Sequence, residues 1–347
     1  MAYSHLSSTI SSVRTFLICA LVAAPAFAQA PSLDLIHHGP VLDAHNCYPY
    51  ERHWSDRIDR ALGTRATGFP VAIEQDIAWG ADKATGKYRP VVTHKRETTG
   101  DEPALRDYFF EHVRPIIEKA LLDNDRANWP LIILHFDFKD NQPAVLHAVW
   151  DLLGEYESWI TTAPQTADPR QLAPFHVGPL LVLTEDSDAQ EEVFFKQVPA
   201  GKNLRLFGSA HTGASPAGAS REERNHFAAT AAPDVLLSEK PTNYRRWWNN
   251  SWFEVEEGGQ TKAGDWTAAD NARLRALVDH AHHLGFWIRF YTLDGFTTAE
   301  SRGWDQGYNF GSLDAARLRW RAALDAGVNL IATDQYEELA NFMRKSH

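Results

Sequence analysis

The sequence predicts an α/β protein folded as a single-domain (β/α)8, TIM-type barrel. Three observations carry that prediction. Short, nearly continuous apolar runs recur along the chain with helical patterns between them, as in a parallel sheet buried on both faces. Eight such runs occur, and residues able to carry charge gather where seven of them end. No run is followed by a Gly-rich phosphate turn, which an open doubly wound sheet, the alternative architecture, would favour.

In chain order the first strand is VLDAHN (41–46), which ends on His45 and Asn46. VAIEQDIAW (71–79) carries Glu74 and Asp76, and LIILHFDFK (131–139) carries Asp137 and Lys139. LLVLTED (180–186) ends on Glu185 and Asp186, LRLFGSA (204–210) has no charged end, and VLLSEKP (235–241) ends on Glu239 and Lys240. FWIRFYTL (286–293) contains Arg289 and Tyr291, and NLIATDQ (329–335) contains Asp334. Helical periodicity is clearest over 103–123, 142–160, 267–284, 313–326 and 336–345, where Leu274, Leu277, Val278 and Ala281 show the i, i+3, i+4, i+7 stripe. In a barrel of this kind the C-terminal strand ends form the site-bearing face, so these polar ends predict one shared pocket.

Residues 1–28 stand apart from the barrel, which is predicted over 36–347. Arg14, the apolar stretch 16–24 and the small residues of APAFAQA read as a cleaved export signal, with cleavage after Ala28. The run is too short to span a bilayer. The mature chain is therefore expected outside the cytoplasm, secreted or periplasmic. Its loss removes Arg14 and moves the formal net charge from −11 to −12. So acidic a protein lacks the basic face that phosphate contacts need, which argues against a nucleic-acid partner. Cys47 is then the only cysteine, so no intramolecular disulfide forms, and it is expected to pack as a small hydrophobe. Nothing in the chain calls for an obligate protein partner.

Side chains at i and i+2 of a strand share a face, about 7 Å apart. Glu74 and Asp76 therefore point the same way, as do Asp137 and Lys139. Converging carboxylates repel unless a cation sits between them, and a hard divalent ion such as Mg²⁺ or Ca²⁺ suits oxygen ligands. His45 and His94 complete the set. Two imidazoles flanking a phosphorus centre can deprotonate a nucleophile and protonate a leaving oxygen, while Lys139 neutralises charge on the phosphate. Lys240 is a candidate substrate contact, and Arg289 and Tyr291 stand among the strand-end groups of the same pocket.

The order H-N, E-x-D, H and then an acid on the third strand resembles the superfamily of phospholipase C-like phosphodiesterases, which are distorted TIM barrels. The resemblance is strongest over 41–140 and returns at GVNLIATDQYEEL (327–339), which is similar to the closing strand of glycerophosphodiester phosphodiesterases. AHNCYPYERHWSDRIDRAL also resembles the opening of a branch named for a mitochondrial inheritance protein. The resemblance implies catalytic roles for His45 and His94. It implies metal ligation by Glu74, Asp76 and Asp137, and also by Asn46, which matches a Ca²⁺-binding amide of eukaryotic phosphoinositide phospholipases. Lys139 matches a lysine of sphingomyelinase D-type enzymes, and Arg289-x-Tyr291 resembles phosphoinositide head-group contacts. The implied activity is metal-dependent cleavage of a small-molecule or lipid phosphodiester, by hydrolysis or by cyclisation. The chain lacks the H-R-G and P-E-N-T opening of the glycerophosphodiesterases, so their substrate does not carry over.

Two other functions use the same features. A glycoside hydrolase also sets paired acids on barrel strands, but it leaves His45, His94 and Lys139 idle. A catalytically silent barrel that binds a ligand or partner gives no reason for two histidines beside three acids. The stretch NYRRWWNNSWFEV (243–255) is read as a lid packed on the barrel mouth, with a lipid-touching patch for transient membrane-surface contact as the alternative.

Overall fold

The computed structural model describes Met1 and residues 40–346, except 50–54, 68–69, 258–262, 298 and 301–308. The predicted leader, Met1 apart, lies outside the described residues. Strands β1 (Val41–Ala44), β2 (Val71–Ala81), β4 (Ile132–Phe138) and β6 (Leu180–Thr184) run parallel to β8 (Phe207–Ser209), β9 (Arg245–Ser251), β10 (Trp287–Tyr291) and β11 (Leu330–Thr333). Hydrogen-bonded neighbours follow in the order β1, β11, β10, β9, β8, β6, β4, β2, and β1 also pairs with β2. The sheet therefore closes on itself as an eight-stranded parallel barrel. A further strand, β3 (Tyr88–Val92), runs antiparallel to the extended end of β2, and β5 (Ala163–Pro164) with β7 (Asn203–Leu204) forms a small outlying ribbon.

Seven of the eight barrel strands fall on predicted runs. β1, β6 and β11 are buried along their whole length, as expected of strands covered by helices outside and side chains inside. The covering helices begin and end where local chemistry dictates. Pro143 opens the helix Pro143–Glu155, where its missing N–H costs nothing. Thr267 and Asp270 form a capping box at the start of Ala268–Leu284. Gly285, at φ 96°, closes that helix in a left-handed conformation that glycine adopts without steric cost.

The prediction for 235–241 is wrong. Pro233–Leu236 forms one helical turn, Lys240 is exposed, and the sixth barrel strand is β9. A short apolar run such as VLL reads equally as strand or helix, and Pro233 favours a helix start. β9 instead announces itself by alternation, with Arg245, Trp247 and Asn249 on one face. The reading of 243–255 as a lid falls with it. Tyr244, Trp247, Trp248 and Trp252 are fully buried, so none of the four is available to a lipid surface. Trp247 crosses the barrel interior to meet His135 of β4 edge-on at 4.8 Å, and its indole N–H donates to the Thr184 carbonyl oxygen at 2.9 Å. Beneath the polar rim the barrel is thus filled with ring and aliphatic packing.

Candidate active site

Alternation along each strand decides which residues face inward. On β1 these are Asp43 and, just past the strand, His45. On β2 they are Glu74 and Asp76, and on β4 they are His135, Asp137 and, just past its end, Lys139. Register sets Glu74 opposite His135 and Asp76 opposite Asp137. Asn249 of β9 lies opposite Arg289 of β10. One cavity of about 510 Å³ opens at this end of the barrel. It is lined by His45, Asn46, Glu74, His94, Asp137, Lys139, Arg289 and Tyr291, together with Glu185 and Asn249. Asp76 lies fully buried just below it, while Lys240 takes no part in the lining.

His45 ends β1 because its polar groups have partners there. Its Nδ1 lies 3.4 Å from Asp334 Oδ1 and its Nε2 lies 3.8 Å from Glu74 Oε1. Its carbonyl oxygen accepts from Arg57 Nη2 and from the Tyr336 hydroxyl, both at 2.7 Å. Asn46, in a left-handed turn at φ 52°, donates to both oxygens of Asp334 at 3.3–3.4 Å, and its Oδ1 accepts from the Tyr48 hydroxyl at 3.1 Å. Asn46 thus lines the cavity while its amide is occupied at the Asp334 side, apart from the three acids. Burial alone would lower the His45 pKa, but the Glu74 and Asp334 carboxylates outweigh it and raise it to about 9.

His94 sits across the cavity with 63% of its side chain exposed. Its Nδ1 is 2.7 Å from Asp76 Oδ2, whereas Nδ1 of His45 meets the Asn46 amide nitrogen at 2.6 Å with the Asp334 carboxylate beside it. Lys139 lies between two acids, with Nζ 3.1 Å from Asp76 Oδ2 and hydrogen-bonded to Asp137 Oδ2. Arg289 is buried and bonds three groups at once, donating to Asp43, to Glu74 and, at 2.9 Å, to Asn249 Oδ1. Burial opposes ionisation of Glu74, yet His45 and Arg289 hold its carboxyl well below the usual range. Burial raises Asp76 despite its His94 hydrogen bond, and burial with Asp137 and Glu74 nearby pushes Glu185 well above the usual range. Tyr291 stacks on His45, ring centres 6.0 Å apart and planes 11° from parallel.

The acids pass a test for a cation. Glu74, Asp76 and Asp137 each bring an oxygen to within 4.8 Å of the others. Lys139 contacts the Oδ2 atoms of both aspartates, and Asp76 Oδ1 is left buried with no hydrogen-bond partner. A buried carboxylate oxygen in that state is costly, and hard oxygen donors suit Mg²⁺ or Ca²⁺.

Several members of the site have no role assigned from the sequence. Glu185 and Asp334 stand out there as strand ends only, and the misplaced sixth strand hides Asn249. Asp43 and His135 each stand two residues before a chosen site residue on the same face, a signal that period-two counting supplies.

No protein-family model and no curated protein matches this sequence. Among solved structures, two glycerophosphodiester phosphodiesterases from Parabacteroides distasonis align with it. One is 13% identical over 89% of this chain and 87% of its own, with a TM-score of 0.41; the other is 11% identical over 89% and 98%, with 0.44. A calcium-dependent phosphoinositol-specific phospholipase C from a Pseudomonas species is 12% identical over 86% and 89%, with a TM-score of 0.42. A dihydropteroate synthase from Burkholderia cenocepacia scores 0.38 at 11% identity over 90% and 91%. Likeness at this level, spread over unrelated chemistries, bears no weight for the reaction, which is argued from the site itself.

Proposed function

We propose that this protein is a phospholipase C-like, divalent-cation-dependent phosphodiesterase, exported through its N-terminal leader and acting on a glycerophosphodiester or phospholipid-type substrate. The observation that carries this reading is one cavity where two imidazoles, each beside a carboxylate, meet three close carboxylates and a half-buried lysine. Glu74, Asp76 and Asp137 would hold the cation. A bound Mg²⁺ or Ca²⁺ would polarise the phosphoryl oxygen and lower the pKa of the nucleophile.

The protein's own groups account for the rest. Nε2 of one histidine takes the proton of the attacking hydroxyl, and Nε2 of the other gives a proton to the departing alcohol oxygen as the P–O bond breaks. Asp334 and Asp76 keep each ring turned for that exchange. Lys139 offsets negative charge on the phosphoryl oxygens. If water attacks, the products are a phosphomonoester and an alcohol; if a neighbouring substrate hydroxyl attacks, they are a cyclic phosphate and an alcohol. A glycoside hydrolase would use the acids alone and leave both histidines unexplained.

The test is product release from bis(p-nitrophenyl) phosphate, glycerophosphodiesters and phospholipids, each with EDTA, Mg²⁺ or Ca²⁺. Turnover should need the cation and fall by at least ~10²-fold in His94→Ala and in His45→Ala, the range for loss of a general acid or base. Calorimetry should show cation binding kept in His94→Ala and weakened in Asp137→Asn. Turnover that survives in either histidine variant would refute the acid–base assignment. No turnover together with no cation binding would favour a silent ligand-binding barrel. An exported protein beginning at Gln29 would support the leader.

A further inference from the structure

The proton transfers leave one fully buried acid unused beside His45. Asp294, three residues past β10, takes no part in lining the cavity. Yet it, Asp334 and His45 each bring an oxygen or a nitrogen to within 4.8 Å of the others. Its Oδ1 accepts from the Asp334 main-chain N–H and from the Thr333 hydroxyl, both at 2.6 Å. The Asp334 carboxylate meets Arg57 at 2.7 Å, Asn46 at 3.3–3.4 Å and His45 Nδ1 at 3.4 Å. Asp334 is thus held by its backbone on one side and by its carboxylate on the other. The chain around Asp294 is just as closely fixed. The Trp320 indole N–H donates to the Leu293 carbonyl oxygen at 2.8 Å, the Phe310 N–H to the Asp294 carbonyl oxygen at 2.7 Å, and the Gly295 N–H to Gln335 Oε1 at 2.6 Å. A Cβ on Gly295 would overlap the Ser312 and Leu313 backbone, so this loop has little room to shift.

We propose that Asp294 is a positioning residue for His45: by holding the Asp334 main chain it fixes the carboxylate beside the imidazole, without exchanging a proton with the substrate. Its effect on turnover rests on the acid–base role proposed above for His45. What Asp294 supplies is geometry. The ladder between β1 and β11 ends at Thr333, so strand pairing no longer holds the chain at Asp334. A buried N–H at that point needs an acceptor, and Asp294 is the one the fold provides. Burial, with Asp334 alongside, pushes the Asp294 carboxyl up to about 7, and with or without its proton it keeps an oxygen that accepts. An asparagine amide oxygen does the same, whereas alanine offers nothing. Misplacing a catalytic ring by about 1 Å costs roughly 10²-fold in rate, so losing this hold lowers kcat rather than raising KM.

The test measures kcat, KM and the His45 imidazole resonances in ¹H–¹⁵N NMR spectra of the wild type, Asp294→Ala and Asp294→Asn. Asp294→Ala should lower kcat at least ~10-fold with KM changed less than about twofold, and should move the His45 resonances. Asp294→Asn should recover most of the kcat and leave those resonances near their wild-type positions. Where Asp294→Ala does not fold, Asp294→Ser, whose side chain is one atom shorter, takes its place. A lower melting temperature in Asp294→Ala with kcat and resonances unchanged would make Asp294 a structural prop and overturn the proposal. Equal losses in Asp294→Ala and Asp294→Asn would also overturn it, because charge rather than hydrogen bonding would then be at work. His45 resonances that move in Asp294→Ala, with no wild-type turnover on any diester, leave the positioning standing and defeat the phosphodiesterase reading. Wild-type turnover with unmoved resonances does the reverse.

Discussion

At the scale of single residues the site is dominated by charges buried in mutual contact. Arg289 is almost wholly buried and spans Asp43 and Glu74, two acids from different strands. Removing one partner from such a cluster leaves an uncompensated charge in a poorly solvated place, which costs about 3–5 kcal/mol. Asp43→Ala should therefore lower unfolding free energy by about that amount in a denaturant titration; a change below about 1 kcal/mol would show that Arg289 re-pairs without it. Arg289 and Glu74 are both legible as strand-end groups. The pairing of Arg289 with Asp43 is not, because the two lie 246 residues apart and only barrel closure brings them together. His45 shows the same limit. Its place at the end of a strand is plain from the sequence, whereas Asp334 as its carboxylate partner follows from the pairing of β1 with β11.

At the scale of elements, β8 and β9 carry the part of the barrel that the sequence describes least well. Gly208 of β8 lies so close to the buried Tyr244 ring that a Cβ there would overlap it. Tyr244 has no room to withdraw, so Gly208→Ala should cost about 1–3 kcal/mol as an overpacking change, read as a lower melting temperature. An unchanged melting temperature would mean that the β8–β9 corner yields easily. β9 escapes a search for apolar runs because its sequence, RRWWNNS, is polar everywhere except at its two tryptophans. Its arginines are nonetheless buried, each with partners supplied by other elements: Arg245 by Glu191 and the Ser209 carbonyl oxygen, Arg246 by Asn243 and the Ala173 carbonyl oxygen. A strand whose charges are satisfied by tertiary contacts can be buried without being apolar, and side-chain polarity alone then misplaces it.

At the scale of the whole molecule, the polar interior couples stability to pH and, on the proposed function, to cation binding. Burial, with Asp334 alongside, pushes the Asp294 carboxyl up to about 7 from an ordinary 3.8. The folded state then holds a proton that the unfolded chain releases, so stability falls as pH rises from 3.8 to about 7. His45 acts with the opposite charge but the same slope. Its contribution is complete below 6.5 and is lost as pH rises through about 9. The cation-free protein should accordingly melt at lower temperature at about pH 9 than at about pH 6. Asp294→Asn should raise the melting temperature by a few degrees at about pH 8 and leave it unchanged at about pH 4; an equal effect at both would contradict the burial argument. A divalent cation that binds only the folded state adds about 2.7 kcal/mol at roughly a hundred times its dissociation constant. EDTA should remove that increment.

The sequence by itself determined the class of fold, seven of the eight strands, and the histidines, acids and lysine that meet in one cavity. Those features are local: apolar runs report burial, and period two reports facing. The tertiary structure alone decided that Lys240 lies outside the cavity and that Asn249 lines it. It alone set Arg289 between Asp43 and Glu74, and Asp334 and Asp76 behind the two imidazoles. Those outcomes depend on which strands become neighbours and in what register, and hydrogen bonding between distant segments settles that only when the barrel closes.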